Sequence, residues 1–339
     1  MNDILLDKSD IIRKNQPIQL GLCCMNMTLK ENKPPIYASR TMTQKRLLEL
    51  IKTEGKKFAM KELKKRILLN LDDLIIMIKW NEKHKIKVFR LTSDLFPHKG
   101  NIKVPNYTYQ FAKEKLKKIG KLAKKYNQRL TFHPGQYNVV GTPHKNVFDA
   151  TCRELKYHAD VLDLIGTDKN SVIVVHGGGL YGDKKDTMER WCKNFKRLPK
   201  NVQERLVLEN CERIFNIEDC LQISNCIGIP VVFDTHHHDC YISSHEQIKL
   251  HNASYYIKDI LLTWSRRGIK PKFHVSEQAR GKRLGAHSKY IEKLPDYLLE
   301  IPKKYNVDID IMIEAKNKEL AIKKLYGNKE YKKYLFKNK

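Results

Sequence analysis

The chain lacks the features that would place it in or beyond a membrane. No run approaches the ~18 apolar residues that a membrane helix needs. Residues 1–17 are polar and mixed in charge, without the apolar core of a signal peptide. A soluble, intracellular protein with no membrane contact is therefore expected. The eight cysteines contain no Cys-x-x-Cys, which argues against a zinc ribbon. Scattered as they are, they read as small core side chains in a reducing compartment rather than as a disulfide framework. No Gly-x-Ser-x-Gly occurs, so His176-Gly-Gly-Gly has no nucleophile elbow to serve as an esterase oxyanion loop. No linker or shift in composition divides the chain. Acidic residues are few beside basic ones, 38 against 65, for a formal charge of +27. A field of that sign favours a polyanionic partner, nucleic acid above all, and says nothing about fold.

What is present is a regular alternation of short apolar runs and helical patterns. Strands are expected at 18–23, 86–91, 129–133, 171–176, 205–209, 231–234, 272–276 and 309–314. Between them, helices are expected over 43–53, 59–84, 109–126, 148–165, 183–198, 217–227, 245–263 and 290–299, and a lysine-rich helix follows Glu314. Leu63, Ile67, Leu71, Leu74, Ile75 and Ile78 recur every three or four residues and give one apolar face. Gly166 and Gly228 close two of the helices. Eight strands alternating with helices predict an α/β fold, a single-domain (β/α)8 TIM barrel. Its expected bounds are 18–320, after a leader over 1–17 and before a basic tail over 321–339.

The chemistry concentrates where the strands end. Val231-Val-Phe233 closes in Asp234 and then His236, His237 and His238, hard oxygen and borderline nitrogen ligands in one small volume. The residues alone leave open which of the three imidazoles ligates. The ending recurs: Asn26 past strand one, His98 past two, His133 at three, His176 at four and Glu209 at five. His274, with His287 soon after, follows at seven, and Glu314 at eight. In such a barrel the active site lies at this face. A buried ring of carboxylates and imidazoles is under-compensated without cations, and the set is too large for one ion. Two or three divalent metals are expected. A metal cluster suits phosphoester hydrolysis, and with the basic charge it points to a nuclease. The Gly-x-Gly-x-x-Gly match at 177–182 follows a barrel strand; its glycines are read as letting backbone pass close to metal or phosphate rather than as a dinucleotide fingerprint.

Eight spaced motifs between about residues 18 and 320 resemble the UV-damage endonucleases. They are Ser93-Asp-Leu-Phe-Pro-His98, His133-Pro-Gly-Gln-Tyr137, Val174-Val-His-Gly-Gly-Gly179, Leu208-Glu-Asn-Cys-Glu-Arg213, Phe233-Asp-Thr-His-His237, Lys272-Phe-His-Val-Ser276, Gly285-Ala-His287 and Ile313-Glu-Ala-Lys316. The resemblance implies a barrel related to the endonuclease IV type of abasic-site nucleases. It also implies incision immediately 5′ to cyclobutane pyrimidine dimers and 6-4 photoproducts in duplex DNA, with clustered divalent metals. Manganese is the expected metal, with zinc, magnesium and cobalt as alternatives. Carried over, it makes His98, His133, His176, Glu209, Asp234, His237, His274, His287 and Glu314 the metal ligands. Glu209, Glu314, Lys272 and His274 are expected to carry catalysis, Lys272 matching a lysine that is carboxylated in some relatives. Gln136 and Tyr137 match the pair that wedges into the duplex, and Asn26 a polar residue near the DNA. A planar amide and an aromatic on a Pro-Gly turn suit that task independently, because they replace stacking when bases are extruded. Two departures stand out: Leu22 replaces a tyrosine of some relatives, and His98 follows Pro97 directly where relatives reach their histidine later. A monomer acting on damaged duplex DNA, without an organic cofactor, is expected. An abasic-site endonuclease, a metal-dependent sugar isomerase and a catalytically dead DNA-binding module are the competing readings.

Overall fold

The computed structural model describes residues 16–336, so most of the expected leader lies outside the described residues. β1 (Ile18–Cys23) is followed by a single turn, α1 (Met27–Lys30), and the long α2 (Gln44–Lys83). β2 (Val88–Leu91) leads to α3 (Lys113–Lys125), and β3 (Arg129–Phe132) to α4 (Lys145–Ile165). β4 (Ile173–His176) precedes α5 (Lys184–Phe195) and α6 (Lys200–Arg205), and β5 (Leu206–Glu209) precedes α7 (Ile217–Ile227). β6 (Val231–Asp234) runs into α8 (Thr235–Ser244) and then α9 (Ile257–Ser265). β7 (Lys272–Val275) is followed by α10 (Asp296–Leu299) and α11 (Ile301–Tyr305). β8 (Ile309–Ile313) is followed by α12 (Glu319–Gly327) and α13 (Lys332–Leu335). The strands pair in sequence order and β8 closes on β1, all parallel: an eight-stranded α/β barrel. No described helix is long and apolar enough to cross a membrane.

The register places the site. His176 pairs with Glu209 and Asp234 with His274, so these side chains share a level and a face at the strand ends. Outward-facing Leu20, Leu22, Phe132, Val175, Leu208 and Phe233 are buried against the helices. Inside the barrel the filling is largely polar. Arg129 Nη1 donates to Asp310 Oδ2 at 2.8 Å, Lys270 Nζ sits 2.5 Å from Asp310 Oδ1, and Lys272 is fully buried above them. Higher in the barrel, a Cβ at Gly21 would stand 2.9 Å from the Met312 methyl and 3.1 Å from the Val88 Cβ, so glycine leaves room for these two interior side chains.

The two helices expected before β2 are present and meet at Gly55, whose φ of 84° only glycine adopts readily. Other elements differ from expectation. α8, unanticipated, starts directly at the end of β6, because the Asp234 carboxylate accepts the His237 N–H at 2.8 Å as an N-cap. The helix expected over 290–299 is confined to 296–305, in two short turns. The segment set apart as a basic tail contributes Ala321, Ile322, Leu325, Tyr331 and Leu335 to the core as far as residue 335. Glu319, just before it, is fully buried and accepts from Met27 N, Thr28 N and Thr28 Oγ1, tying α12 to the loop after β1. Two of the eight cysteines are joined, Cys192 on α5 to Cys226 on α7, where eight unpaired thiols were expected.

His158 on α4 is buried, with Nδ1 2.7 Å from the Glu154 carbonyl and Nε2 2.9 Å from Ser93 Oγ. Burial holds its pKa down to about 4 against an ordinary 6.5. The folded protein therefore keeps it neutral while the unfolded chain takes up a proton below pH 6.5. Stability is predicted to fall as pH drops from about 6.5 to 4, by at most about 1.4 kcal/mol per pH unit from this group. Urea unfolding of the parent and His158→Gln over that range checks it: the variant's slope should be shallower.

Candidate metal centre and active site

Glu209 ends β5 with no exposed surface. His274 Nδ1 lies 2.6 Å from its Oε1; His133 Nε2 and His176 Nε2 lie 2.8 and 3.5 Å from its Oε2. His237 Nδ1 is 3.9 Å from Glu209 Oε1 and 3.8 Å from Asp234 Oδ2. Its position is fixed by the N-cap of α8 and by the Asn210 carbonyl, 3.0 Å from the same nitrogen. Asn210 also pairs in both directions with the backbone of Asp234. At the far side, Glu314 Oε1 stands 3.2 Å from His274 Nδ1, and Oε2 stands 3.8 Å from His287 Nδ1. Residues from strand ends three to eight thus converge on one centre.

Its electrostatics are those of a cation site. Burial opposes ionisation of Glu209, but the imidazoles of His274, His133 and His176 hold its carboxyl well below the usual range. Burial pushes Asp234 up to about 7, helped by the Glu209 and Glu314 carboxylates and opposed by His237. Burial pulls His237 down, yet Asp234 and Glu209 carry it up to about 9. Burial, against the opposing Glu209 carboxylate, brings His176 and His274 down to about 4, helped by His133 and His237 at the first and by Lys272 at the second; the neutral form is the one that ligates. Asp234 Oδ2, His133 Nδ1 and His274 Nε2 are buried with no hydrogen-bond partner among the described residues. Three groups bring ligand atoms close enough to share an ion: His133, Glu209 and His274; His176, Glu212 and His237; and Glu209, Asp234 and His237. Orphaned buried donors and acceptors of this kind fit a divalent metal.

The remaining expected residues divide. Of the three consecutive histidines only His237 reaches Glu209 and Asp234; His236 packs on Cys240 and His287, and His238 on Phe233 and Tyr256. His98 does not join the centre: its Nε2 is 2.6 Å from the Met42 carbonyl and its Nδ1 faces Asn101. Asn26 is turned inward as the fully buried N-cap of α1, accepting from Leu29 N, and presents no side chain to solvent. Gln136 is exposed and Tyr137 is 70% exposed on the turn after β3, four residues or fewer from His133. Lys272 is fully buried with one long hydrogen bond, 3.4 Å to Thr131 Oγ1. Burial, with Arg90 and Arg129, brings its pKa down to about 7.

Sequence reasoning missed two residues. Glu212 lies in a motif that was read for its first glutamate, and only the loop after β5 shows that it faces His176 and His237. Arg90 sits mid-strand on β2 and donates to Glu314 Oε1 at 2.5 Å. Alternation along β2 places it inside the barrel, a signal that could have exposed it.

A closed parallel barrel with imidazoles and carboxylates gathered at its C-terminal rim defines a TIM barrel with a candidate metal centre. The chain belongs to the UV-endonuclease UvdE family, whose model matches residues 18–335. A protein of Acanthamoeba polyphaga mimivirus is 39% identical over 313 residues, covering 91% of this chain and 90% of that protein. The UV-damage endonuclease of Schizosaccharomyces pombe is 35% identical across 90% of this chain, which spans 49% of that relative's length. The solved structure of SacUVDE superposes with a TM-score of 0.72 at 28% identity, covering 90% of this chain and 95% of that one. A xylose isomerase domain protein from Planctomyces limnophilus shares the barrel at 13% identity and a TM-score of 0.51, over 76% of this chain and 92% of that one, a likeness of fold alone.

Arg90→Met removes the cation from a carboxylate that is 9% exposed. Breaking such a pair is expected to cost about 3–5 kcal/mol in metal-free protein. Denaturant unfolding in chelator measures it, and Arg90→Lys should recover part of the loss.

Proposed function

We propose that this protein is a metal-dependent DNA repair endonuclease that hydrolyses the phosphodiester immediately 5′ to UV photoproducts, cyclobutane pyrimidine dimers and 6-4 photoproducts, in duplex DNA. The convergence of His133, His176, His237 and His274 on the buried Glu209 carries the reading, taken with membership of the family. His133, His176, Glu209, Asp234, His237, His274, His287 and Glu314 would hold two or three divalent ions, manganese foremost. Ions held there supply an activated water and offset charge on the phosphoryl group. Glu209 and Glu314 are fixed acceptors, the first by imidazoles and the second by Arg90, so neither reorganises as charge develops. Lys272, with its lowered pKa and near absence of partners, suits the carboxylation that the family resemblance implies.

Gln136 and Tyr137 supply the duplex wedge in this reading. Their exposure on a short turn beside His133 is what such a role requires. The net charge of +27 supplies affinity for the phosphate backbone without regard to sequence. The working unit is a monomer on damaged duplex DNA inside the cell.

An end-labelled duplex carrying one pyrimidine dimer, one abasic site or neither tests the activity, with Mn²⁺ or EDTA. A metal-dependent nick 5′ to the dimer is expected; full cleavage after exhaustive chelation would sink the mechanism, and cleavage of the abasic duplex alone would favour the related abasic-site activity. Glu209→Gln should lower turnover far more than DNA binding, because phosphate contacts supply most of the affinity. Binding to undamaged duplex should weaken with salt along a log–log slope of roughly −0.9 per phosphate contacted. A flat salt response would remove nucleic acid as the reason for the basic surface.

A further inference from the structure

A groove of about 990 Å³ runs along the outside of the barrel, between the part of α2 that follows Gly55 and the segment leading into α3. None of the metal-centre residues lines it. Its floor is apolar, formed by Met60, Leu68, Leu69 and Phe111. Leu69 is 41% exposed, and along the same helix Phe58 and Ile76 are 45% and 40% exposed. The three stand 11 and 7 positions apart, about three turns and two, which sets them on one side of α2. The other side, with Leu63, Ile67, Leu71 and Leu74, is packed into the core. An apolar stripe about five turns long therefore faces water, and surfaces of that kind mark places where another molecule packs.

The rim of the groove is basic. Lys56, Lys57, Lys61, Lys64 and Lys65 all border it. Lys64 Nζ lies 5.3 Å from the centre of the Phe111 ring, and the other four form no ion pair with a described residue. The acids close by are already engaged: Asp72 by Lys115, and Glu62 by Arg66 at 3.4 Å. Uncompensated positive charge thus borders apolar surface, and the pairing of the two selects the occupant. A second copy of this chain would set the same lysines against these, and like charges repel. Duplex DNA would satisfy the lysines but offers nothing apolar to Phe58, Leu69 and Ile76. A bilayer surface is flat where the groove is concave. A helix with carboxylates beside an apolar stripe satisfies the floor and the rim together.

We propose that this face of α2 is the docking site for an acidic amphipathic helix of a partner protein. Its apolar side chains pack on Phe58, Leu69 and Phe111, and its Asp and Glu residues meet Lys57, Lys61 and Lys65. Helices recognised in this way present apolar anchors at i, i+3 or i+4, and i+7, a spacing that matches the turns of α2. The apolar contact supplies affinity, while the lysines steer the approach and reject basic or neutral helices. No residue of the groove belongs to the metal centre, so the partner and the substrate do not compete for side chains.

The test is selection of displayed peptides of about 18 residues, the span of the stripe, on the full chain. Recovered peptides should carry an excess of Asp and Glu, with apolar residues at three- and four-residue spacing. Leu69→Gln, which removes an exposed apolar anchor without changing charge, should weaken their binding about tenfold and leave the thermal midpoint at the parent value. Lys61→Glu with Lys65→Glu, both on exposed side chains, should weaken the same peptides by a similar factor and stands in if Leu69→Gln proves unstable. Recovery of no peptide, of peptides without the acidic excess, or of peptides that bind the parent and both variants alike overturns the proposal. Phosphatidylserine vesicles and undamaged duplex are the other probes, and Leu69→Gln should bind both as the parent does. A tenfold loss on either would assign the surface to a membrane or to nucleic acid instead. A parent dimer in sedimentation that Leu69→Gln dissociates would assign it to a second copy.

Discussion

A single carboxylate organises this molecule. Glu209 is fully buried at the end of β5, and imidazoles reach it from β3, β4 and β7 and from the start of α8. An ion in that position is costly to hold away from water, and the fold meets the cost with partners on all sides. Closure of the sheet makes this arrangement available. Pairing of His176 with Glu209 and of Asp234 with His274 sets four of the groups at matching levels. The capped start of α8 then swings His237 in from above.

The barrel interior supports the centre from below. Arg129, Lys270 and Asp310 form an ion-paired layer, Lys272 and Thr131 the next, and Arg90 reaches up to Glu314. A filling of branched aliphatics would be the commoner solution in this fold. The polar stack instead fixes the orientation of Glu314, and its arginines add to burial in depressing the pKa of Lys272. The chemistry of the rim is thus prepared by residues that never reach it.

The fold was legible because the strands are short, apolar and separated by helical periodicity. The centre was legible because ligand-type residues recur at strand ends, a pattern that local structure gives no reason to repeat. What was not legible depends on loops and on packing. His98 shares the residue type of a ligand and lies past a strand end, yet its ring is engaged by the Met42 carbonyl. Asn26 reads as a polar residue near the DNA, but three positions on a backbone N–H captures it as a cap. Glu212 and Arg90 are ordinary charged residues in sequence, and only the folded neighbourhood brings one to His176 and His237 and the other to Glu314. α8 escaped notice because its three histidines read as a site rather than as the buried face of a helix.

The central claim is that the buried imidazoles and carboxylates are held in place to bind divalent ions. Anomalous scattering from crystals grown with manganese tests it most directly. The account predicts at least two manganese peaks per chain, within bonding distance of Glu209, Asp234 and Glu314, and loss of the peak at Glu209 in the Glu209→Gln variant. Crystals at saturating manganese with no peak among these residues, and with the imidazoles hydrogen-bonded to the carboxylates instead, would contradict it.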